Sequence, residues 1–281
     1  MRRLVCLDLD GTVLHEGNEC MPELAAQLRE LDTHSDFELV IATGRSVDAT
    51  LPVVRQIGIA PEWIVCCNGA IVLRRAGEPV PADTSETEAV TEARQTAYEK
   101  VRVYTFVADD LLLHAHERIP TAFFGLETNE NVFYYTKPIP SKTLPETRQR
   151  VEFEELLGKE AVRLTAIAPC CTPDEFFEKL GDLPREKVMY AVDDMAWLDV
   201  PPPGVSKATG LAYINEHVGA APEKVFVAGD GENDLEMLAW GARAGRAVAM
   251  GQAPETVKAV ANAVTLPADE GGLLIALHEW L

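Results

Sequence analysis

Two clusters of acid and amide residues, at opposite ends of the chain, have types and spacing suited to joint chemistry. The first is Asp8-Leu9-Asp10-Gly11-Thr12 and the second is Gly229-Asp230-Gly231-Glu232-Asn233-Asp234. Each follows a short apolar run that reads as a buried strand. Residues two apart in a strand point the same way, so the carboxylates of Asp8 and Asp10 emerge together at the strand's C-terminal end. Two acids held that close are costly unless a cation sits between them. Oxygen groups around an open position suit magnesium, which takes carboxylate, water and phosphate oxygen. A solvated turn fits the first cluster poorly, because the residues before it are apolar and open α/β sheets bind ligands at their carboxyl edge. An EF-hand fails at both places: its sixth position requires glycine, and the chain has Val13 and Leu235 there. Gly229-Asp230-Gly231 opens like a dinucleotide fingerprint, but the third glycine is missing and its acids would face a pyrophosphate.

Two weaker marks accompany these clusters. Thr43, in Ala42-Thr43-Gly44-Arg45, ends another apolar run, where a hydroxyl either caps the next helix or faces a phosphate. Lys207 opens an amphipathic helix, as a solvated charge or as an ammonium set against phosphate and Asp8. His114 and His116 would lie two apart on a strand, with no third metal ligand evident. There is no nucleophile elbow, no P-loop and no Cys/His nucleophile arrangement.

The elements that must position these residues follow from hydrophobic period. Strands are expected at Leu4–Leu9, Glu38–Ala42, Trp63–Cys67, Val225–Ala228 and Ala247–Met250. Helices are expected at Glu23–Leu31, after Ser46 to Ile57, and at Lys207–Val218, Leu235–Trp240, Glu255–Ala263 and Leu273–Leu281. Continuous apolar strands alternating with helices indicate a parallel sheet covered on both faces, built here from both ends of the chain. The middle differs. Strand-like pieces at Val101–Val107, Val132–Tyr135, Val162–Ala168 and Lys187–Val192 mix with helix candidates near Glu86–Lys100 and Asp174–Leu180. The expectation is therefore an α/β fold: a Rossmann-like, doubly wound parallel-sheet core formed by residues 1–81 and 204–281, with an inserted α+β cap at 82–203. Pro201-Pro202-Pro203-Gly204 serves as the return linker.

Composition narrows the partners. The 281 residues carry a formal net charge of −20, which repels nucleic acid and anionic lipid alike. A small phosphorylated substrate would meet the same field, so the site needs a local positive centre, such as a divalent cation with a nearby Lys or Arg. No apolar run approaches the roughly 20 residues that span a bilayer, and Asp8 and Asp10 interrupt the N-terminal run too early for an export signal. A cytoplasmic location is expected. The six cysteines, including the vicinal pairs Cys66-Cys67 and Cys170-Cys171, read as reduced and structural.

The four marks in this order resemble the haloacid dehalogenase superfamily. With Asn68-Gly69-Ala70 and Ala249-Met250-Gly251-Gln252-Ala253, the chain resembles the Cof-like sugar phosphatases with a large α+β cap (subclass IIB). Gln252 stands where that group commonly has Asn. The resemblance implies a magnesium-dependent phosphomonoester hydrolase acting on a small phosphorylated metabolite, a sugar phosphate by preference. Asp8 would be the nucleophile that forms an aspartyl phosphate, Asp10 the acid and base, and Lys207 the third catalytic group. Thr12, Thr43, Gly44, Arg45, Asn68 and Asn233 would contact phosphate or substrate, and Asp8, Asp10, Asp230 and Asp234 would hold the metal, Asp10 through its backbone carbonyl. A phosphomutase of the phosphomannomutase type and a catalytically idle binding module are the alternatives. Monomer and homodimer both remain open.

Overall fold

The computed structural model describes residues 2–15, 19–77, 97–139, 141, 143–169, 171–181, 188–192 and 195–281. Its larger sheet has eight strands. In chain order these are β1 (Arg3–Leu7), β2 (Phe37–Ala42), β3 (Trp63–Cys66), β4 (Ile71–Ala76), β5 (Ala97–Val103), β14 (Val225–Gly229), β15 (Arg246–Ala249) and β16 (Ala263–Val264), laid out as β16-β15-β14-β1-β2-β3-β4-β5. The six from β16 to β3 run parallel, and β4 and β5 add antiparallel pairs at one side. Strand β1 lies at the centre, between β2, the next strand in the chain, and β14, from the chain's far part.

Alternation along the buried strands feeds two hydrophobic layers. Val5 and Leu7 pack with α1 (Pro22–Thr33), α2 (Val47–Ile57) and α8 (Gly272–Trp280), through Leu28, Val54 and Leu277. Leu4 and Cys6 face α5 (Lys207–Val218), α6 (Leu235–Gly241) and α7 (Glu255–Lys258), through Leu211, Leu238 and Val257. Ser46 caps α2 as expected, accepting a hydrogen bond from Ala49 N at 3.3 Å. Among the described residues no helix is long and apolar enough to cross a membrane.

The middle of the chain forms a second, six-stranded sheet. Its strands are β7 (Phe123–Glu127), β8 (Val132–Tyr135), β9 (Thr147–Arg150), β11 (Arg163–Ala168), β12 (Val188–Val192) and β13 (Met195–Val200), ordered β12-β13-β11-β7-β8-β9. A two-stranded piece pairs β6 (Phe106–Val107) with β10 (Glu160–Ala161). Helices α3 (Asp109–Arg118) and α4 (Pro173–Leu180) cover one face of the six-stranded sheet, burying Leu112 and Phe176 against Phe124 and Leu164. The opposite face carries Glu127, Arg163, Thr165 and Asp199.

Four expectations are corrected. Residues Ala97–Lys100 are strand rather than helix, because β5 pairs with β4; the rest of the Glu86–Lys100 candidate, like the boundary near Pro81, lies outside the described residues. The larger sheet thus holds one strand that the sequence assigned to the insertion. His114 and His116 sit on α3, not on a strand, since Leu112 and Ala115 give that segment a buried helical stripe. The helix expected to run to Ala263 stops at Lys258, because β15 recruits Ala263 and Val264 as an edge strand.

Candidate active site

Parallel strands bring their carboxyl ends to one edge, and there the two acidic clusters meet. Asp8 follows β1 directly, and its N–H donates to Ala228 O of β14 at 3.0 Å. Asp230 follows β14. Carboxylate oxygens of Asp8, Asp230 and Asp234 lie within 4.8 Å of one another. Asp8 is 3% exposed and Lys207 is fully buried. Nζ of Lys207 donates to Asp8 Oδ1 at 2.5 Å and to Asp234 Oδ1 at 2.7 Å. The lysine is therefore a buried counter-ion, not a solvated charge. Burial works to pull its pKa down, but Asp234 and Asp8 outweigh that and hold the ammonium charged.

The other oxygen of Asp234 accepts the N–H groups of Asp230 and Gly231, both at 3.0 Å. With both oxygens engaged, Asp234 braces the turn that carries Asp230. Asp10 projects into the open, its side chain 51% exposed. Arg45 holds it with a two-pronged fork, Nε to Oδ2 at 2.8 Å and Nη2 to Oδ1. The Asp10 side chain thus stays outside the carboxylate cluster of Asp8, Asp230 and Asp234.

Asn68, in the left-handed region at φ 51°, accepts from Asn233 Nδ2 at 3.0 Å through its Oδ1. Gly44 packs against both, and a Cβ there would lie 2.9 Å from Asn68 Oδ1. Thr43 is fully buried and its Oγ1 accepts from Arg45 N at 3.1 Å, so the hydroxyl shapes its own loop. Thr12 is buried with an Oγ1 that has no protein partner. A cleft of about 560 Å³ opens over these residues, lined by Asp8, Asp10, Gly44, Arg45, Asn68, Asp230 and Asn233 among others. Thr12, Thr43, Lys207 and Asp234 stand behind that lining.

Several groups at the cleft were missed by sequence reasoning. The smaller sheet contributes Arg163 and Asp199, and the segment before β9 contributes Thr143. Arg163 Nη1 donates to Gly44 O at 2.7 Å, and Thr143 O accepts from Ser46 N at 2.9 Å. Charged residues alternating with apolar ones in Arg163-Leu164-Thr165-Ala166 and Leu198-Asp199-Val200 were the available signal. Gln252, noted in the sequence as a departure from the family pattern but given no place in the site, also reaches it. Its Nε2 donates to Gly11 O at 2.5 Å and to Asp230 Oδ2 at 3.1 Å.

A family model described as haloacid dehalogenase-like hydrolase matches residues 5–277. The chain belongs to the haloacid dehalogenase-like hydrolase family. It is 26% identical to 5-amino-6-(5-phospho-D-ribitylamino)uracil phosphatase YitU of Bacillus subtilis (strain 168), over 99% of this chain and 97% of that protein. It is 28% identical to pyridoxal phosphate phosphatase YbhA of Escherichia coli (strain K12), over 93% and 92%. The chloroplastic endoribonuclease YBEY of Arabidopsis thaliana is 26% identical over 97% of this chain, which spans only 45% of that protein. Among solved structures, the phosphatase BT1666 from Bacteroides thetaiotaomicron superposes with a TM-score of 0.70 at 25% identity, covering 100% of this chain and 95% of that one. The sugar phosphatase BT4131, of haloacid dehalogenase subclass IIB, shares the fold with a TM-score of 0.73 at 24% identity, over 99% and 98%. As a member of this haloacid dehalogenase-like family the chain is a phosphatase, and such phosphatases work with a divalent metal.

The residues present fit such a metal. Burial raises the Asp8 carboxyl well above its ordinary pKa, opposed by Lys207 and reinforced by Asp234. Burial, then Asp234, pushes Asp230 up to about 6. A divalent cation relieves that crowding and favours the charged forms. Gly11, at φ +77°, leaves the space that Asp230 occupies, for a Cβ would stand 2.6 Å from Asp230 Cγ.

Proposed function

We propose that the chain is a magnesium-dependent phosphomonoester hydrolase that works through an aspartyl phosphate, and that its substrate is a small sugar phosphate. The observation that carries this is the buried Asp8, gripped by Lys207 on one oxygen, at the floor of a cleft where Asp230 approaches from the other end of the chain. Residues 1–81 and 204–281, joined by β5, form the catalytic core in this reading, and the smaller sheet forms the cap.

Asp8 and Asp230, with the backbone carbonyl of Asp10, would hold the magnesium ion, which when bound offsets the charge of the phosphate oxygens. Oδ2 of Asp8 attacks phosphorus as the ester oxygen departs, leaving an acyl phosphate on Asp8. Asp10 gives its proton to the departing oxygen and then takes one from the water that hydrolyses the acyl phosphate. The two-pronged contact from Arg45 holds the Asp10 carboxyl in place at the mouth of the cleft. Lys207 opposes the effect of burial on Asp8 and orients its carboxylate. The loop of Thr43, Gly44 and Arg45, with Asn68 and Asn233, positions the transferring group, which supplies much of the catalysis in phosphoryl transfer. Thr12, two residues after Asp10, has a buried hydroxyl with no protein partner. A sugar as leaving group agrees with the polar cap side of the cleft.

The test is phosphate release from a panel of phosphorylated metabolites, with and without magnesium, for the wild type and Asp8→Asn. Magnesium-dependent release that Asp8→Asn abolishes is expected. Release that survives in Asp8→Asn would remove Asp8 from the chemistry.

A further inference from the structure

The cleft has two ends of different electrostatic character. Its floor offers Lys207 and the acids that would hold magnesium, a place for one phosphate. Its roof is formed by Arg163 and Asp199, from the antiparallel neighbours β11 and β13. Both side chains are more than nine-tenths buried.

Arg163 is already well compensated. Its Nε and Nη2 donate to Glu127 Oε2 at 3.1 and 2.5 Å, its Nη1 donates to Gly44 O at 2.7 Å, and Asp199 Oδ2 lies 3.6 Å away. One guanidinium thus sits between two carboxylates. Asp199 is fixed in place by the Thr165 hydroxyl, which donates to its Oδ1 at 2.7 Å. Glu232, exposed, adds another acid to the lining, and the other lining arginine, Arg45, is paired with Asp10. Among the described residues the lining carries five acids and two arginines, and no aromatic ring.

We infer that this roof selects phosphate esters whose leaving group is uncharged and rich in hydroxyls, and rejects those with a second anionic group, with Asp199 as the specificity-determining residue. The inference rests on the phosphatase reading of the floor. A hydroxyl reaching the roof finds a fixed carboxylate acceptor, a strong charge-assisted partner. A second phosphate or a carboxylate there meets Asp199 and Glu232 as like charges, an arrangement that interfaces use to exclude wrong partners. A flat heteroaromatic group finds no ring to stack on among the described lining residues. The same wall disfavours a sugar bisphosphate, which a mutase must hold.

Sorbitol 6-phosphate and 6-phosphogluconate test this, because they are six-carbon chains that differ at C1, alcohol in one and carboxylate in the other. The wild type is expected to prefer the alcohol in kcat/KM by at least about tenfold, and Asp199→Asn, which keeps shape and loses charge, to reduce that preference about tenfold. Glu232→Gln, at an exposed position that folding tolerates, should reduce it by a smaller factor. The preference is also an affinity, so calorimetry on Asp8→Asn with the same two esters reads it without turnover. If the wild type hydrolyses neither ester, the phosphatase reading is in trouble, and calorimetry still decides the roof. Equal affinity for the two esters, no binding of either, or a preference that both charge-removing variants leave intact overturns the inference.

Discussion

Replacing Gly11 by alanine would set a methyl group against Asp230. Gly11 lies at φ +77°, where any side chain costs about 1–2 kcal/mol in backbone strain. Its Cβ would stand 2.6 Å from Asp230 Cγ and 2.8 Å from Oδ1, whereas carbon contacts settle at about 3.5–4.0 Å. Asp230 must therefore retreat by about 1 Å, and displacement of that order in a reacting site can lower the rate about a hundredfold. The retreat also breaks the 3.1 Å bond from Gln252. Disturbing a ligand's surroundings typically weakens metal binding about 10- to 100-fold. The expected result is a half-saturating magnesium concentration at least about tenfold higher and a depressed kcat, with an unchanged circular dichroism spectrum. Gly158→Ala is the control. Gly158 has φ +75°, and a Cβ there would meet nothing within 4 Å, so it carries the backbone strain without the collision and should keep normal magnesium dependence. Should Gly11→Ala match Gly158→Ala in magnesium titration and rate, Asp230 would not hold the metal and the assignment would fall.

Lys207→Met leaves Asp8 and Asp234 buried without their shared counter-ion, a loss of about 3–5 kcal/mol. Its melting temperature should fall, and magnesium should raise it by more than in the wild type, because the ion replaces the missing charge; thermal melts with and without magnesium would show otherwise if Lys207 were a passive core residue. Asp32 accepts from Ala60 N at 2.7 Å, and burial pushes its carboxyl up to about 6. The folded state therefore binds that proton more tightly than the unfolded chain, so this site loses stability as pH rises from about 4 to about 6. Asp32→Asn, which keeps the acceptor oxygen, is expected to stabilise the protein at pH 7 by up to about 3 kcal/mol and to have little effect at pH 4. Denaturant melts at the two pH values check the sign.

What was legible in the sequence was what local spacing fixes. Strands β1, β2, β3, β14 and β15 were readable because each is an apolar run stopped by chemistry at its carboxyl end. The acid clusters were readable for the same reason. Misreadings fell where distant contacts overrule local preference. Ala97–Lys100 has helix-forming residues, yet the edge of β4 draws it into a sheet. Ala263 and Val264 leave the helical pattern because β15 offers a ladder. His114-Ala115-His116 alternates like a strand, while its helix is held by Leu112 and Ala115 underneath. Lys207 looked ambiguous because a lysine's partners, here 199 and 27 residues away, leave no trace in its neighbours. Arg163 and Asp199 reach the cleft only through the placing of one sheet over another, which no short window encodes.

The central place of β1 has a consequence for how the protein is made. One of its two neighbours, β14, lies more than two hundred residues further along the chain. At about 5–20 residues per second, a ribosome needs about 10–40 s to deliver it after β1 has emerged. Until those residues emerge, the nascent chain has a central strand paired with β2 along one edge only and an Asp8 without its lysine. The six-stranded sheet, contiguous from Phe123 to Val200, is complete before the missing pieces arrive. The six-stranded sheet can therefore fold during translation, while the eight-stranded sheet closes only near release. A message cut short within the final quarter yields a chain with a formed six-stranded sheet and an apolar β1 bare along one edge for chaperones and proteases to find.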